Sequence, residues 1–253
     1  MCVSRRRFLF QAGSTVAIAP LVLTGCMSSG SVMQAVAPGP DPYYVAMYGP
    51  LPAEKYPLPA TNIANVDERF FRQQVRYHRN ERPGTIVVDT QNRFLYLVQE
   101  DGMAMRYGIG VGRAGLEFEG EARVARKAQW PRWTPTPSMI EREPARYGHL
   151  AGGMDAGLKN PLGPRALYLF ENGRDTLYRI HGTSEPWSIG LAVSSGCIRL
   201  FNQDIIDLYA RVALDTPVLV LQNEPLQYPQ KEVPESIRRQ LELERGEDPM
   251  LEV

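Results

Sequence analysis

Cys197 and His181 are the two residues whose types and spacing best suit covalent chemistry in this chain. Cys197 closes the small-residue turn SSGC, and His181 stands sixteen positions earlier, at the end of the strand-like run LYRI. A thiol acts as a nucleophile only once it has lost its proton, and imidazole is the side chain best suited to take that proton near neutral pH. The segment after the cysteine, IRLFNQDIIDLYARV, carries helical apolar spacing with Asn202 as its N-cap. The thiol is therefore expected near a helix entrance, where the dipole favours thiolate. Gly182 and Gly196 flank the pair and let backbone approach backbone. The expectation is a Cys/His nucleophile and base, with the amides of Gly196 and Cys197 as donors to a developing oxyanion.

Other uses of these residues carry less weight. A lone cysteine is commonly a small buried hydrophobe, and the spacing alone does not exclude that use. A zinc site is disfavoured because the histidines, His78, His149 and His181, have no ligand-like neighbour at close spacing. No metal and no cofactor is expected. GIGVGRAG invites a phosphate-loop reading, yet it lacks the Lys-Ser/Thr ending and a following helix pattern, so it is read as a strand with close backbone contacts.

The elements that must position the pair follow from periodicity. From Pro83 the pattern turns strand-like: TIVVD and RFLYLV are β-branched and aromatic runs joined by a hairpin signal, and AMRYGIGVG, ARVARKAQW, RALYLF, TLYRI and TPVLVLQ add further strands. Residues 130–164 hold much Pro and Gly and one short helical piece near Ser138 to Arg142, and a long irregular segment of this kind is usually functional. Trp187, in the loop after His181, is read as packing over a bound peptide or over the core. Upstream, ANVDERFFRQQVRYHR carries a capping box at Asn65 and Glu68 and predicts a short helix within 61–82. The fold class expected is mainly β with small helices, a β-rich sandwich over 83–222, preceded by an extended leader and tether.

The chain ends read as address and spacer. SRRRFLF followed by VAIAPLVL resembles a twin-arginine export signal, and LTGC, Leu23 to Cys26, resembles a bacterial lipobox that would make Cys26 a lipidation site. Residues 27–60, with prolines at 38, 40, 42, 50, 52, 57 and 59, read as a tether with a reach of about 100 Å. Residues 223–253 form a polar, charged extension. Of the three cysteines, Cys2 falls in the leader and Cys26 in the lipobox, so Cys197 has no disulfide partner, and an unpaired thiol in an oxidising compartment is easiest to understand as a reactive one. The formal charge is zero, and without the first 26 residues the balance is 25 basic against 28 acidic, which gives no footprint for nucleic acid. With 43% hydrophobic residues and 22% charged, the composition is ordinary for a globular protein.

RIHGT and SSGCIRL, together with PGTIVVD, NRFLYLV, RYGIGVGR, WPRWTPTPSMI and NPLGPRALYLF, resemble the L,D-transpeptidase catalytic domain (YkuD) family of ErfK/YbiS type over about half the chain. The resemblance implies a cysteine transpeptidase, and the N-terminal signals add the expectation that it is periplasmic, anchored to a membrane as a lipoprotein after twin-arginine export. It would carry peptidoglycan stem peptides as thioesters and form cross-links between third residues. Cys197 matches the nucleophile and His181 the base. Gly182 matches the residue whose carbonyl orients the histidine, and Arg199 a basic residue near the substrate carboxylate. The resemblance also implies Trp130, Trp133 and Tyr147 as candidate walls of a groove. Ser195 stands where the commonest motif has histidine, and Arg199 where it has asparagine. The alternatives are an L,D-carboxypeptidase using water as acceptor, another cell-wall cysteine hydrolase, or an inactive peptidoglycan-binding lipoprotein. A papain-like hydrolase is disfavoured because in that class the cysteine precedes the histidine.

Overall fold

The strand β2 (Ile86–Asp89), three apolar residues and an aspartate, is buried at every position, which a sheet exposed on one face does not allow. Its alternate residues serve different clusters: Ile86 and Val88 enter an inner core, and Val87 an outer one. The computed structural model describes residues 40–112, 118–194 and 197–222, and everything below concerns these. Before β2 comes β1 (Gln73–Arg76), and after it β3 (Phe94–Val98), β4 (Met103–Gly108) and β5 (Gly110–Gly112). Next are β6 (Gly120–Gln129), β7 (Arg165–Glu171) and β8 (Arg174–His181), then β9 (Ala192–Ser194), β10 (Ile198–Arg199) and β11 (Pro217–Leu221). The protein is mainly β with small helices: α1 (Pro42–Met47), α2 (Pro137–Arg142), α3 (Pro144–Tyr147) and α4 (Asn202–Arg211).

The strands form one sheet in the order β1-β4-β3-β2-β11-β6-β7-β8-β10-β5-β9. Strands β4 and β5 are consecutive in the chain yet lie far apart in that order. The run 103–112 pairs with β3 through its first half and with β10 through its second, so the sheet curls until its two ends meet. Ile86, Leu95, Tyr107, Val124, Leu167, Ile180 and Val218 converge inside, and α4 closes the interior with Ile205 and Leu208. The glycines of the GIGVG run are explained by this curvature: a side chain on Gly108 would strike the backbone and Cβ of Phe70, the latter at 2.6 Å. The strand reading of this segment holds for residues 108–112, while 113–117 lie outside the described residues.

Two expectations upstream are corrected. The helix expected within 61–82 is a 3-10 turn at Glu68–Phe70, capped by Asp67 and not by Asn65, followed by β1. Phe70 and Phe71 are consecutive and both buried, at 5% and 2% exposure, and β1 then pairs with the free edge of β4. Burial on both sides and an open edge outweigh a local capping signal. The part of the Pro-rich stretch from residue 41 onward is not an extended tether. It forms α1 and a strap whose Tyr48 and Leu58 are buried at 1% and 4% exposure.

The strap is fastened at two places. Gln203 at the start of α4 donates to the carbonyls of Tyr48 and Gly49 at 3.2 and 3.0 Å, and Thr61 donates to Gln203 at 2.7 Å. Tyr48 Oη donates to Asp204 at 3.0 Å and accepts from the Arg72 amide at 2.7 Å. At the other end Glu54 meets Arg165 through two bonds of 2.9 and 2.7 Å and accepts from Trp130 Nε1 at 3.0 Å.

Candidate active site

His181 is the last residue of β8. Its backbone sits between Ala166 of β7 and Arg199 of β10, and its carbonyl accepts from the Leu200 amide at 2.8 Å. The ring is 4% exposed, and Nδ1 lies 2.5 Å from the Gly182 carbonyl. A carbonyl only accepts, so Nδ1 carries the proton and Nε2 keeps its lone pair. Burial, reinforced by the positive charges of Arg199 and Arg179, lowers the imidazole pKa to about 3, against which the backbone carbonyls of Gly182 and Pro161 pull upward. The ring is therefore a neutral base at neutral pH.

Gly182 is held from three sides. Its amide donates to the Arg165 carbonyl at 3.2 Å, and a side chain there would strike Asn202 Oδ1 and, at 2.8 Å, Pro164 Cδ. The next amide, that of Thr183, donates to Asn202 Oδ1 at 2.9 Å. Asn202 is thus not the N-cap that its sequence context suggests. Phe201 takes that place, without a side-chain bond, and Asn202 spends its oxygen tying the loop after His181 to α4.

Cys197 immediately precedes β10. The parallel register pairs Ile198 with Ile180 and Arg199 with His181, which sets Cys197 opposite Arg179. Ile180 and Ile198 point into the inner core. By alternation Arg179, His181, Cys197 and Arg199 share the opposite face. One strand spacing and two residue rises separate the Cα atoms of His181 and Cys197, about 8 Å, a distance that side chains on one face bridge. The cysteine is of intermediate exposure and has no disulfide partner.

The resting state of the thiol corrects the sequence reading. The two-residue strand β10 stands between Cys197 and α4, which begins five residues on. Burial pushes the thiol pKa up, opposed by a hydrogen bond from the Arg179 backbone and by the charges of Arg179 and Arg199. Burial thus favours the thiol over the thiolate at Cys197 and the neutral over the charged imidazole at His181. Ser195 and Gly196, expected as substrate or oxyanion groups, and Cys26, expected as the lipidation site, lie outside the described residues.

Arg199 stands beside the pair, but its guanidinium is occupied. It binds Glu185 at 2.6 Å, and Glu185 also faces Arg146 of α3 at 3.8 Å. Glu185 was not singled out in the sequence, because nothing local marks it as a partner of a residue fourteen positions on. Among the aromatics expected as groove walls, Trp130 is 7% exposed and packs on Tyr56 of the strap, with ring centroids 4.8 Å apart, so it is structural. Trp133 and Tyr147 contact each other at 6.0 Å, the former half-buried. Trp187 is half-buried in a 3-10 turn, Pro186–Ser188. His78 is exposed. Among the described residues no group of three or more His, Cys, Asp or Glu side chains could hold a metal ion.

A closed β domain with a histidine-bearing strand beside a cysteine-bearing one has a counterpart among known families. The YkuD family model, L,D-transpeptidase catalytic domain, matches residues 83–220, more than half of the chain, and the chain belongs to that family. The probable L,D-transpeptidase ErfK/SrfK of Escherichia coli K12 is 38% identical over 159 residues, 62% of this chain and 49% of that protein. The probable L,D-transpeptidase YbiS of the same organism is 36% identical over 145 residues, 56% of this chain and 45% of that protein. The chain thus spans about half the length of the curated relatives it matches. A crystal structure from Brucella melitensis, described as a probable carnitine operon oxidoreductase, is 53% identical, covering 63% of this chain and 99% of that one with a TM-score of 0.44. That description concerns that protein, and membership of the present chain rests on the family model.

Proposed function

We propose that this protein is a peptidoglycan L,D-transpeptidase in which Cys197 is the nucleophile and His181 the general base. The observation that supports the reading is the register of β8 and β10, which sets His181 and Cys197 on one face, with the Nδ1–H of His181 given to the Gly182 carbonyl. In the first step Nε2 takes the thiol proton as Sγ attacks the carbonyl between the third residue of a tetrapeptide stem and its terminal residue. The C–N bond breaks, the departing amine takes the proton from His181, and the stem remains as a thioester on Cys197. A second stem's side-chain amine then attacks the thioester and leaves a cross-link between third residues.

Supporting roles follow the same reading. The amides of Gly196 and Cys197 would donate to the oxyanion, and Ser195 would add a donor where relatives carry histidine. Glu185 on Arg199 is a carboxylate already seated on a guanidinium. This supports Arg199 as the group that takes a stem carboxylate when the loop yields. The organisation proposed for the whole chain is an export signal over 1–26 with lipidated Cys26, a linker, the catalytic domain over 83–222 and a charged extension over 223–253. It would be held to a membrane and face the periplasm.

The test is chemical and direct. Exposure to a carbapenem, followed by mass measurement of the intact protein, is expected to give one adduct, mapped to Cys197. Incubation with purified tetrapeptide muropeptides is expected to give dimers joined at third residues. An unmodified thiol, with no dimer formed, would sink the proposal.

A further inference from the structure

Strand β8 carries a second feature on the face of the thiol. Its register against β7 slips between Tyr168 and Phe170, and residues 176 to 178 bulge outward. Leu177, at the crest, takes φ 64° and is 67% exposed. A branched side chain in the left-handed region, turned to solvent, is costly twice over, and such strain concentrates at functional sites. The surroundings hold it there. Asp175 Oδ1 accepts from the Leu177 amide at 2.8 Å, and Thr176 Oγ1 accepts from the Tyr178 amide at 3.2 Å while donating to the Leu169 carbonyl at 2.6 Å.

The bulge brings Asp175 and Arg179 together. Their two-armed pair has both N–O distances at 2.7 Å, and the guanidinium lies over the Tyr168 ring at 4.4 Å. Both side chains reach solvent, at 14% for Arg179 and 36% for Asp175. Asp175 also lines a shallow cavity of about 320 Å³ with Glu171, Asn172, Arg174 and Thr176. Arg179 stands opposite Cys197 in the parallel register. A positive and a negative group therefore sit side by side within electrostatic reach of the sulfur, and the acylation step described above gives neither side chain a substrate group to hold.

We propose that Asp175 and Arg179 are the binding site for the acyl acceptor, and that they select an amine bearing a carboxylate on the same carbon. The carboxylate would take the Arg179 fork, the ammonium would take Asp175, and Leu177 would cover the aliphatic chain behind them. A zwitterion enters by replacing one ion pair with two, so no charge is left uncompensated. This inference rests on the transpeptidase reading and specifies its second step. The bound ammonium loses one proton through His181 to solvent. The neutral amine then attacks the thioester carbon, the C–N bond forms and the C–S bond breaks. The sulfur leaves as thiolate and takes the second amine proton.

The experiment compares transfer with hydrolysis from the same acyl-enzyme, so total rate cancels. Full-length protein, supplied with a tetrapeptide stem as donor, is given three acceptors at equal concentration: an amine with an adjacent carboxylate, the matching carboxamide, and a plain alkyl amine. Products are counted by mass. The zwitterionic acceptor is expected to raise the transfer-to-hydrolysis ratio about tenfold over the carboxamide, the value of one charge-assisted hydrogen bond. Arg179→Gln, which keeps the backbone amide that faces the sulfur, is expected to erase that preference, and Asp175→Asn to lower transfer to all three amines. Equal ratios for carboxylate and carboxamide, or a preference that survives Arg179→Gln, would overturn the acceptor site alone. Failure of the wild-type thiol to take any acyl group would overturn the transpeptidase reading with it.

Discussion

His181 and Cys197 lie one strand apart and are held in opposite ways. The histidine has strand partners on both sides, gives its carbonyl to Leu200 and its Nδ1–H to Gly182, and is 4% exposed. The cysteine precedes a strand of two residues and keeps intermediate exposure. The proposed base is thereby limited to one direction by the strands around it, as general-base work requires. The proposed nucleophile lies just before its strand begins, which leaves it the freer of the two. Support for the base comes from beyond the family-matched residues: Glu54 holds Arg165, whose carbonyl receives the Gly182 amide.

The comparison can be broken from either side. Cys197→Ala is expected to lower acyl transfer by at least about a thousandfold with the thermal midpoint unchanged, because the removed group is the proposed nucleophile and carries no strand pairing. Muropeptide turnover and a melting curve on one preparation decide this.

His181→Gln is expected to cost about a hundredfold to ten-thousandfold in turnover, the range for loss of a general base. It also has a pH signature. The imidazole pKa is lowered from 6.5 to about 3 on folding, so between these values the unfolded chain binds the proton and the folded chain does not. Wild-type stability therefore falls as pH drops from about 6.5 towards 3. The His181→Gln variant should lose less stability over that interval, as read from chemical denaturation at stepped pH.

Smaller effects test the supports. Glu54→Ala strands the buried guanidinium of Arg165 and the Trp130 N–H, and is expected to destabilise by about 3 kcal/mol. Urea unfolding measures this, and the thiol should still react. Asn202→Ala leaves the Thr183 amide without its acceptor and is expected to cost about 2 kcal/mol with a drop in kcat larger than the change in KM. Asn202→Asp keeps an acceptor oxygen and should restore most of kcat. Smallest of all, Glu143→Gln removes exposed pairs to Arg142 and Arg146, and is expected to change stability by less than about 0.5 kcal/mol.

How much was legible varies with how local the cause is. The strands IVVD, FLYLV and RALYLF show in the sequence because β-branched and aromatic runs suit a pleated, doubly covered sheet. The short helix near Ser138 shows through Thr136 and Pro137, which cap and open it. The segment 65–76 misled because its capping pattern is local, whereas the open edge of β4 that captures it lies some thirty residues on. Asn202 misled for a related reason: an asparagine before a helix reads as a cap, and only the loop returning from His181 shows where its oxygen goes.

From its residues alone, the chain determined a β-rich domain and a histidine and cysteine sixteen positions apart in small-residue surroundings. Those features depend on side-chain type and short-range spacing, which a sequence states outright. The tertiary structure alone decided that the two residues share one face of a parallel strand pair, that the imidazole is neutral and the thiol protonated, and that Glu185 sits on Arg199. These outcomes depend on register, burial and the charges of distant residues, and each arises only once the sheet has curled closed.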